Sequence, residues 1–215
     1  MEHKPISYQG ANEVETHFKI TKDYIQFALA NYNAHETIRI DPIVEWATYY
    51  GGVSYDYGRK VSVDSLGNTY IIGNTNSSNN IASGGYQNIY GGGIYDTFLV
   101  KFNSSGVRQW TTYYGGSDLD VGNALIIDTI GDIYLAGNTK SITNIASGGH
   151  KNICGGGTDA FLVKFNSLGV RQWATYYGGS GTDAGIDLSV DGNNDIFTPV
   201  ICFFKYSQVS LIFLY

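Results

Sequence analysis

The chain of 215 residues is long enough for one or two domains, and its composition is dominated by 28 glycines and 18 tyrosines. Charged residues make up only 15% of it, and a chain rich in glycine, aromatic and β-branched residues is typical of an all-β protein. The net charge of −6 argues against a nucleic-acid surface, which needs clustered Lys and Arg. The net charge does not argue against a protein partner or a neutral ligand.

The two ends of the chain predict neither export nor membrane insertion. Residues 1–8 contain no apolar run after a basic patch, so no signal peptide is visible, and we expect either an intracellular protein or a true N-terminus that lies upstream. Residues 200–215 are apolar, but Lys205 interrupts them, and the stretch is shorter than the roughly 20 apolar residues of a membrane helix. The two cysteines, Cys154 and Cys202, belong to no CxxC pair and are expected to be isolated thiols.

An internal repeat of 63 or 64 residues dominates the rest of the sequence. Trp46, Trp110 and Trp173 each open the phrase Trp-x-Thr-Tyr-Tyr-Gly-Gly. Segments 97–118 and 160–181 are identical at 18 of 22 positions. An aspartate stands ten residues after each tryptophan, at Asp56, Asp120 and Asp183, and a second follows at Asp64, Asp128 and Asp191. Such self-similarity is the signature of a tandem-repeat architecture.

Each repeat divides into four short strands that are rich in β-branched and aromatic residues and contain no proline. The predicted strands are 59–63, 68–73, 97–102 and 107–114 in the first unit, and 123–127, 132–137, 160–165 and 170–177 in the second. Asp64 and Asp128 begin glycine-containing turns of the kind that close β-hairpins. The long connections 74–96 and 138–159 are polar and Gly-rich, so we expect surface loops that take no part in the core.

These features predict an all-β fold of the β-propeller type, built of tandem four-stranded blades, with about two complete blades and a partial third. A β-solenoid would repeat at roughly 20–30 residues, and a sandwich would not need such close identity between its units. Because propellers close with roughly four to eight blades, we expect that neighbouring blades are missing from this chain.

The order of the motifs is similar to that of a known family. The chain contains, in sequence, Trp-x-Thr-Tyr-Tyr-Gly-Gly, Asp-x-Gly, Asp-x-x-Gly-Asn-x-Tyr-x-x-Gly and Asp-x-Phe-Leu-Val-Lys-Phe-Asn-x-x-Gly. This series resembles the SBBP repeat, the beta-propeller repeat of bacterial secreted and surface proteins. The resemblance covers about Asp41 to Phe197. It implies an extracellular or cell-surface location, and it brings no catalytic residues to carry over.

The resemblance also implies a division of the chain. Residues 1–40 are expected to be the tail of a preceding β-rich domain, and residues 41–199 to be the repeats, with units at about 57–114, 121–177 and 184–199. After Phe197 the third unit departs from the pattern. We therefore expect residues 200–215 to be an aberrant apolar tail, as in a truncated or frameshifted gene product.

The repeated aspartates Asp56, Asp120 and Asp183 are the candidate metal ligands, because Ca²⁺ prefers carboxylate and carbonyl oxygens. The other interpretation is that each one caps a turn through the backbone N–H groups of its own blade. Recurrence once per blade favours the capping role, since a single carboxylate makes a thin coordination shell. We therefore predict no cofactor, with Ca²⁺ at these aspartates as the alternative.

The aromatic residues divide into two groups. Tyr86, Tyr90 and His150 lie in the long loops and are candidate ligand contacts. The Trp and Tyr-Tyr residues of the repeated phrase are expected to pack between blades, because strand alternation places an aromatic side chain on each face. In the first copy of the phrase that alternation puts Trp46, Thr48 and Tyr50 on one face and Ala47 and Tyr49 on the other.

No catalytic residues are predicted. The sequence shows no Ser/His/Asp or Cys/His arrangement, and its glycine runs lack the Lys-Ser/Thr of a phosphate-binding loop. The pattern favours a non-catalytic propeller-repeat scaffold or interaction module of a bacterial secreted or cell-surface protein, with a protein or a glycan as partner. The alternative is a carbohydrate-binding or glycan-active propeller enzyme whose site lies in the missing blades.

Overall fold

A computed structural model describes residues 6–20, 25–41, 46–204 and 207–214 of the chain. The chain divides into two compact units, Met1–Ala47 and Thr48–Tyr215. The regular elements of the described residues are all β-strands, which confirms the predicted all-β class. These residues contain no helix that is long and apolar enough to cross a membrane. The division into a preceding domain at 1–40 and repeats at 41–199 stays a prediction.

The described residues of the first unit form five short strands. They are β1 (Ile6–Gln9), β2 (Asn12–Val14), β3 (Thr16–Ile20), β4 (Ile25–Leu29) and β5 (Ile38–Asp41). β1 is the central strand of a three-stranded antiparallel sheet, between β2 and β5. β3 and β4 pair with each other as a separate hairpin.

The second unit begins with two four-stranded antiparallel sheets, which we call the first and the second blade. The first blade consists of β6 (Asp56–Val63), β7 (Thr69–Thr75), β8 (Asp96–Phe102) and β9 (Arg108–Tyr114). The second consists of β10 (Asp120–Ile127), β11 (Ile133–Thr139), β12 (Asp159–Phe165) and β13 (Arg171–Tyr177). Strands that follow one another along the chain are neighbours in each sheet. The eight predicted strands are thus confirmed, with ends that differ by no more than three residues.

A third sheet follows the second blade. Its strands are β14 (Thr182–Gly185), β15 (Ser189–Val190), β16 (Ile196–Phe204) and β17 (Ser207–Leu214). β16 is the central strand and pairs with each of the other three. Residues 200–204 therefore complete β16 and residues 207–214 form β17, so the described part of the apolar C-terminal stretch belongs to this sheet.

An aspartate holds the turn between the first two strands of each blade, as predicted, and also the turn between β15 and β16 of the third sheet. Oδ1 of Asp64 accepts hydrogen bonds from the backbone N–H groups of Leu66 and Asn68, at 3.0 and 2.9 Å. Partial burial raises the pKa of Asp64, but hydrogen bonds led by those from Asn68 and Leu66 outweigh it and leave the pKa below its usual value. Asp128 and Asp191 hold the equivalent turns in the same way.

Aromatic side chains of the first blade pack on the second blade. Tyr114, at the end of β9, is fully buried, and its ring centroid lies 5.2 Å from that of Phe161 and 5.9 Å from that of Phe165. Its hydroxyl donates a hydrogen bond to the carbonyl of Ile145 at 2.8 Å. Trp110 reaches the second blade as well, because its Nε1–H donates to the carbonyl of Ser167 at 3.2 Å. The predicted packing of aromatic residues between adjacent blades is confirmed.

The strand predicted over Trp46 to Tyr50 is wrong. Residues 46–50 form no strand, because no described strand pairs with them and so no ladder imposes the predicted alternation. Tyr50 nevertheless behaves as Tyr114 does. Its ring centroid lies 5.1 Å from that of Phe98 in β8, and its hydroxyl donates to the carbonyl of Ile81 at 2.9 Å. Tyr49 is fully exposed.

The long loops contribute to the core, which corrects the expectation that they lie only on the surface. Ile81 and its repeat equivalent Ile145 are fully buried. The backbone of Ser83 exchanges two hydrogen bonds with that of Thr111 in β9, at 3.1 and 3.0 Å. Residues 147 and 174 pair in the same way in the second blade. Each loop therefore covers the outer edge of its own blade, where an uncovered strand would expose unpaired backbone groups.

Candidate functional site

The three repeated aspartates each cap the Gly-Gly turn that precedes them. Asp56, Asp120 and Asp183 accept a hydrogen bond through Oδ2 from the N–H of Gly52, Gly116 and Gly179 respectively, at 2.8, 2.7 and 2.8 Å. This geometry is the capping arrangement weighed in the sequence, because an Asp side chain readily bonds backbone N–H groups close to it in the chain.

Asp120 is the most completely enclosed of the three. It is fully buried, and Thr139 donates a hydrogen bond to its Oδ1, while Ser141 donates to its Oδ2 at 2.8 Å. Burial raises the pKa of Asp120, and the hydrogen bonds from Thr139, Gly116 and Ser141 only partly offset this effect. The carboxylate therefore sits in an environment that favours a neutralising partner.

A second aspartate, which the sequence analysis did not single out, stands at the start of the third strand of each blade. Asp96 and Asp159 are both fully buried. Oδ2 of each accepts a hydrogen bond of 2.7 Å, from the N–H of Gly91 and of Gly155 respectively. Oδ1 of each has no hydrogen-bond partner. A buried carboxylate oxygen without a partner is costly and needs an explanation in a native structure.

The unpartnered oxygen of Asp96 faces Asp120 across Gly115. A Cβ atom added to Gly115 would lie 2.6 Å from Oδ1 of Asp96 and 2.9 Å from Oδ2 of Asp120. The backbone holds the two acids together, because the N–H of Asp120 donates to the carbonyl of Tyr95 at 2.8 Å. Burial raises the pKa of Asp96 to about 8; the hydrogen bond from Gly91 opposes this rise and the neighbouring charge of Asp120 adds to it.

The same arrangement recurs at the boundary between the second blade and the third sheet. A Cβ atom added to Gly178 would lie 2.9 Å from Oδ1 of Asp159 and 2.5 Å from Oδ2 of Asp183. The N–H of Asp183 donates to the carbonyl of Thr158. We call these two pairs the first junction (Asp96 and Asp120) and the second junction (Asp159 and Asp183). Each joins a carboxylate of one sheet to a carboxylate of the next.

The two junctions differ in one residue that changes their charge. In the second junction, Nζ of Lys151 lies 3.3 Å from Oδ2 of Asp159 and donates to the carbonyl of Gly178 at 2.6 Å. The repeat equivalent of Lys151 in the first junction is Gln87, whose Oε1 accepts a hydrogen bond from the N–H of Gly115 at 3.3 Å. A lysine ammonium thus neutralises part of the second junction, and an uncharged amide stands at its place in the first.

A signal for these residues was present in the sequence. Asp96 and Asp159 are repeated, and each follows a run of three glycines, at 91–93 and 155–157. The aspartates after the Trp phrase by themselves supply only one carboxylate per blade. The structure shows two carboxylates at each junction, one from each sheet. Among the described residues no group of three or more His, Cys, Asp or Glu side chains forms a metal site.

The candidate ligand contacts Tyr86, Tyr90 and His150 lie in the two long loops. The ring of Tyr86 is 40% exposed, and the guanidinium of Arg171 in the second blade lies 4.5 Å from its centroid. The ring of Tyr90 lies 5.8 Å from that of Tyr113. His150 is exposed at the repeat position of Tyr86. The structure brings Tyr86 and Tyr90 together in one groove of about 420 Å³, and its described lining does not include His150.

The two cysteines and the predicted lack of catalytic residues remain to be placed. Cys154 carries a free thiol and packs against the core between the blades. The side chain of Cys202 lies outside the described residues. The absence of catalytic residues stays a prediction.

The architecture on its own defines a class of protein. Four-stranded antiparallel sheets follow one another in tandem, and the first blade packs aromatic residues on the second, as the blades of a propeller do. Comparison with known families supports the resemblance to a β-propeller repeat. Residues 45–82 match the model of the SBBP family, described as the beta-propeller repeat. The resemblance noted in the sequence is confirmed over these residues, and the four-stranded sheets of the chain are of the β-propeller type.

Two curated proteins match parts of the chain, and the first of them is named as a WD repeat-containing protein. The chain is 24% identical over 191 residues to an uncharacterized WD repeat-containing protein, L264, of Acanthamoeba polyphaga mimivirus, a match that covers 77% of this chain and 14% of that protein. It is 30% identical over 105 residues to the regulatory protein FlaEY of Caulobacter vibrioides, which covers 47% of this chain and 11% of that protein. The chain therefore spans less than a sixth of the length of either relative.

Proposed function

We propose that this chain is a non-catalytic repeat scaffold that binds a protein partner through its two long loops. The observation that carries the proposal is a repeated exposed apolar side chain. Ile89 and Ile153 occupy equivalent positions in the two loops and are 80% and 78% exposed. Exposed apolar side chains that cluster on one surface mark interaction sites more often than isolated ones do.

Three further features support the loops as the contact surface. Both loops are anchored to the outer strand of their own blade, so the isoleucines project from a defined backbone. The groove of about 420 Å³ lies next to Ile89 and is completed by Asn144 from the second loop. Near-identical loops repeated side by side suit a partner that is itself repetitive or that contacts several blades at once.

Site-specific photo-crosslinking tests this proposal. The photoreactive residue benzoylphenylalanine is placed at position 89 or 153 of the full-length protein in its native host, and adducts are analysed after irradiation. Leu66 provides a matched control, because it is equally exposed, at 78%, but lies in the turn at the opposite ends of the strands. We expect the same adduct from positions 89 and 153 and none from position 66. Equal labelling at position 66, or no adduct at 89 and 153, refutes the loop surface.

We further propose that the protein of which this chain is a part acts outside the cell, at the surface of a bacterium, as the family resemblance suggests. Protease treatment of intact cells tests this point separately. The exposed loops are expected to be cleaved without lysis, while a cytoplasmic marker protein stays intact. Protection of the loops until the cells are lysed contradicts the location but leaves the loop surface untouched.

A glycan is the second candidate partner, because Tyr86 and Tyr90 line the groove and sugars stack on exposed aromatic rings. Both rings are partly covered, since Arg171 lies over one face of Tyr86 and Tyr113 lies against Tyr90. Glycan-array binding that Tyr90→Ala abolishes, and that Tyr49→Ala at a fully exposed site does not, favours the glycan over the protein partner. A glycan-active enzyme would need catalytic acids beyond those of these blades.

A further inference from the structure

The geometry points to a binding site for a hard divalent cation of the Ca²⁺ class at the first junction, between the carboxylates of Asp96 and Asp120. This inference is independent of the proposed interaction function. It concerns a site inside the repeat array, where one blade meets the next.

The two carboxylates converge beside Gly115, where the first blade meets the second. Both residues are fully buried, and Oδ1 of Asp96 and Oδ2 of Asp120 lie within 2.6 and 2.9 Å of the point where Gly115 would carry a Cβ. Gly115 is needed here for space, since any side chain would enter the region between the two acids. Like charges brought together in a buried site repel each other unless a proton or a cation intervenes.

Oδ1 of Asp96 is the acceptor atom that has no partner at this junction. It is buried and accepts no hydrogen bond, whereas Oδ2 of the same residue accepts one from the N–H of Gly91. No described Lys, Arg or His side chain forms an ion pair with Asp96 or Asp120. The orphaned oxygen points toward Gly115 and Asp120, which is the direction from which a bridging cation would be bound.

At the second junction the protein supplies a positive charge from one of its own side chains. There, the ammonium of Lys151 contacts Asp159 and the carbonyl of Gly178. At the first junction Gln87 replaces the lysine and presents an amide oxygen beside Gly115. One repeat thus supplies a positive charge from its own chain, and the other offers a further oxygen donor in its place. A glutamine in place of the lysine is what we expect if a cation from solution binds at the first junction and neutralises its carboxylates.

The chemical type of the donor atoms indicates which class of cation would bind. The two carboxylates and the amide oxygen of Gln87 are all oxygen donors, and among the described residues no His or Cys side chain contributes to the junction. Oxygen-only sites with carboxylate and carbonyl donors suit Ca²⁺. Two negative charges at the first junction match the charge of one divalent ion. At the second junction Lys151 already reduces that charge, so we expect no binding there.

Ca²⁺ titration of the full chain tests the site, with calcium chloride as the only ligand added after treatment with a chelator. Isothermal titration calorimetry gives the number of bound ions. Tb³⁺, which replaces Ca²⁺ in oxygen sites, reports the location through luminescence excited by Tyr90, the residue directly before Gly91. We expect one ion per chain and sensitised luminescence that Ca²⁺ displaces.

Three variants locate the ion. Asp96→Asn should weaken Ca²⁺ binding by at least roughly tenfold, a loss that even changes outside the ligand shell can cause. Asp64→Asn, at a turn aspartate away from the junction, is the matched control and should leave binding unchanged. Lys151→Gln converts the second junction to the form of the first, and should raise the number of bound ions from one to two.

Several outcomes overturn the proposal. Absence of both calorimetric heat and Tb³⁺ luminescence means that the acids share a proton instead of a metal ion. Equal loss of binding in Asp96→Asn and Asp64→Asn, or full binding by Asp96→Asn, places any ion elsewhere. Circular dichroism confirms that each variant is folded. If Asp96→Asn does not fold, the count for Lys151→Gln decides, and a count that stays at one refutes the site.

Discussion

Replacement of Tyr114 separates the two ways in which one blade is held to the next. The ring is fully buried and contacts Phe161 and Phe165 of the second blade, and the hydroxyl donates to the carbonyl of Ile145. Tyr114→Phe removes only the hydrogen bond and leaves a buried carbonyl without its donor, which should lower the free energy of unfolding by roughly 1–3 kcal/mol. Tyr114→Ala also removes the ring and should cost about 3–5 kcal/mol.

Urea denaturation, followed by far-ultraviolet circular dichroism, measures these free energies. Tyr49→Ala is the control, because Tyr49 belongs to the same repeated phrase but is fully exposed, and a surface change of this kind should stay within about 0.5 kcal/mol. If Tyr114→Ala costs less than about 1 kcal/mol, or if Tyr49→Ala costs as much as Tyr114→Ala, the aromatic contacts do not hold the blades together.

Three other changes test the junction and the loop. Gly115→Ala places a Cβ 2.5 Å from Cγ of Asp96 and should lower the free energy of unfolding by roughly 1–3 kcal/mol, while Gly179→Ala, with no atom within 4 Å, should not change thermal stability. Ile81→Ala empties a fully buried position in the long loop and should cost about 2–5 kcal/mol in urea denaturation; a loss below roughly 0.5 kcal/mol would show that the loop adds nothing to the core. With a chelator present, the pKa of Asp96 is raised from its ordinary 3.8 to about 8 by burial, against the hydrogen bond from Gly91 and with the charge of Asp120. The folded state then binds the proton more tightly than the unfolded state, so stability should fall as the pH rises through this range, and Asp96→Asn should flatten the profile.

Much of the fold was predictable because local and repeated signals agreed. Runs of β-branched and aromatic residues mark the eight strands of the two blades, and Asp64 and Asp128 mark the turns between them. The prediction of a strand at 46–50 was wrong because a strand needs a neighbouring strand to pair with. The same phrase forms a strand at 108–114 and 171–177, where β8 and β12 pair with it. Identical local sequence therefore took different structure according to its partner.

The loops illustrate a second limit of local reasoning. A polar, Gly-rich connection is usually a surface loop, and Ile89 and Ile153 are indeed exposed. Ile81 and Ile145, however, are buried because the loop folds back along the outer strand of its own blade. Composition averaged over a segment hides a single apolar residue that anchors it.

The sequence by itself determined the period, the strands and the turn residues, because these depend on side chains that are close together along the chain. Only the tertiary structure decided that Asp96 meets Asp120. It also decided that the positive charge of Lys151 lies beside the carboxylate of Asp159. The members of the first junction come from different blades, and their distance depends on how one sheet packs against the next. A repeat shows which residues recur, but the contact between successive copies shows which of them act together.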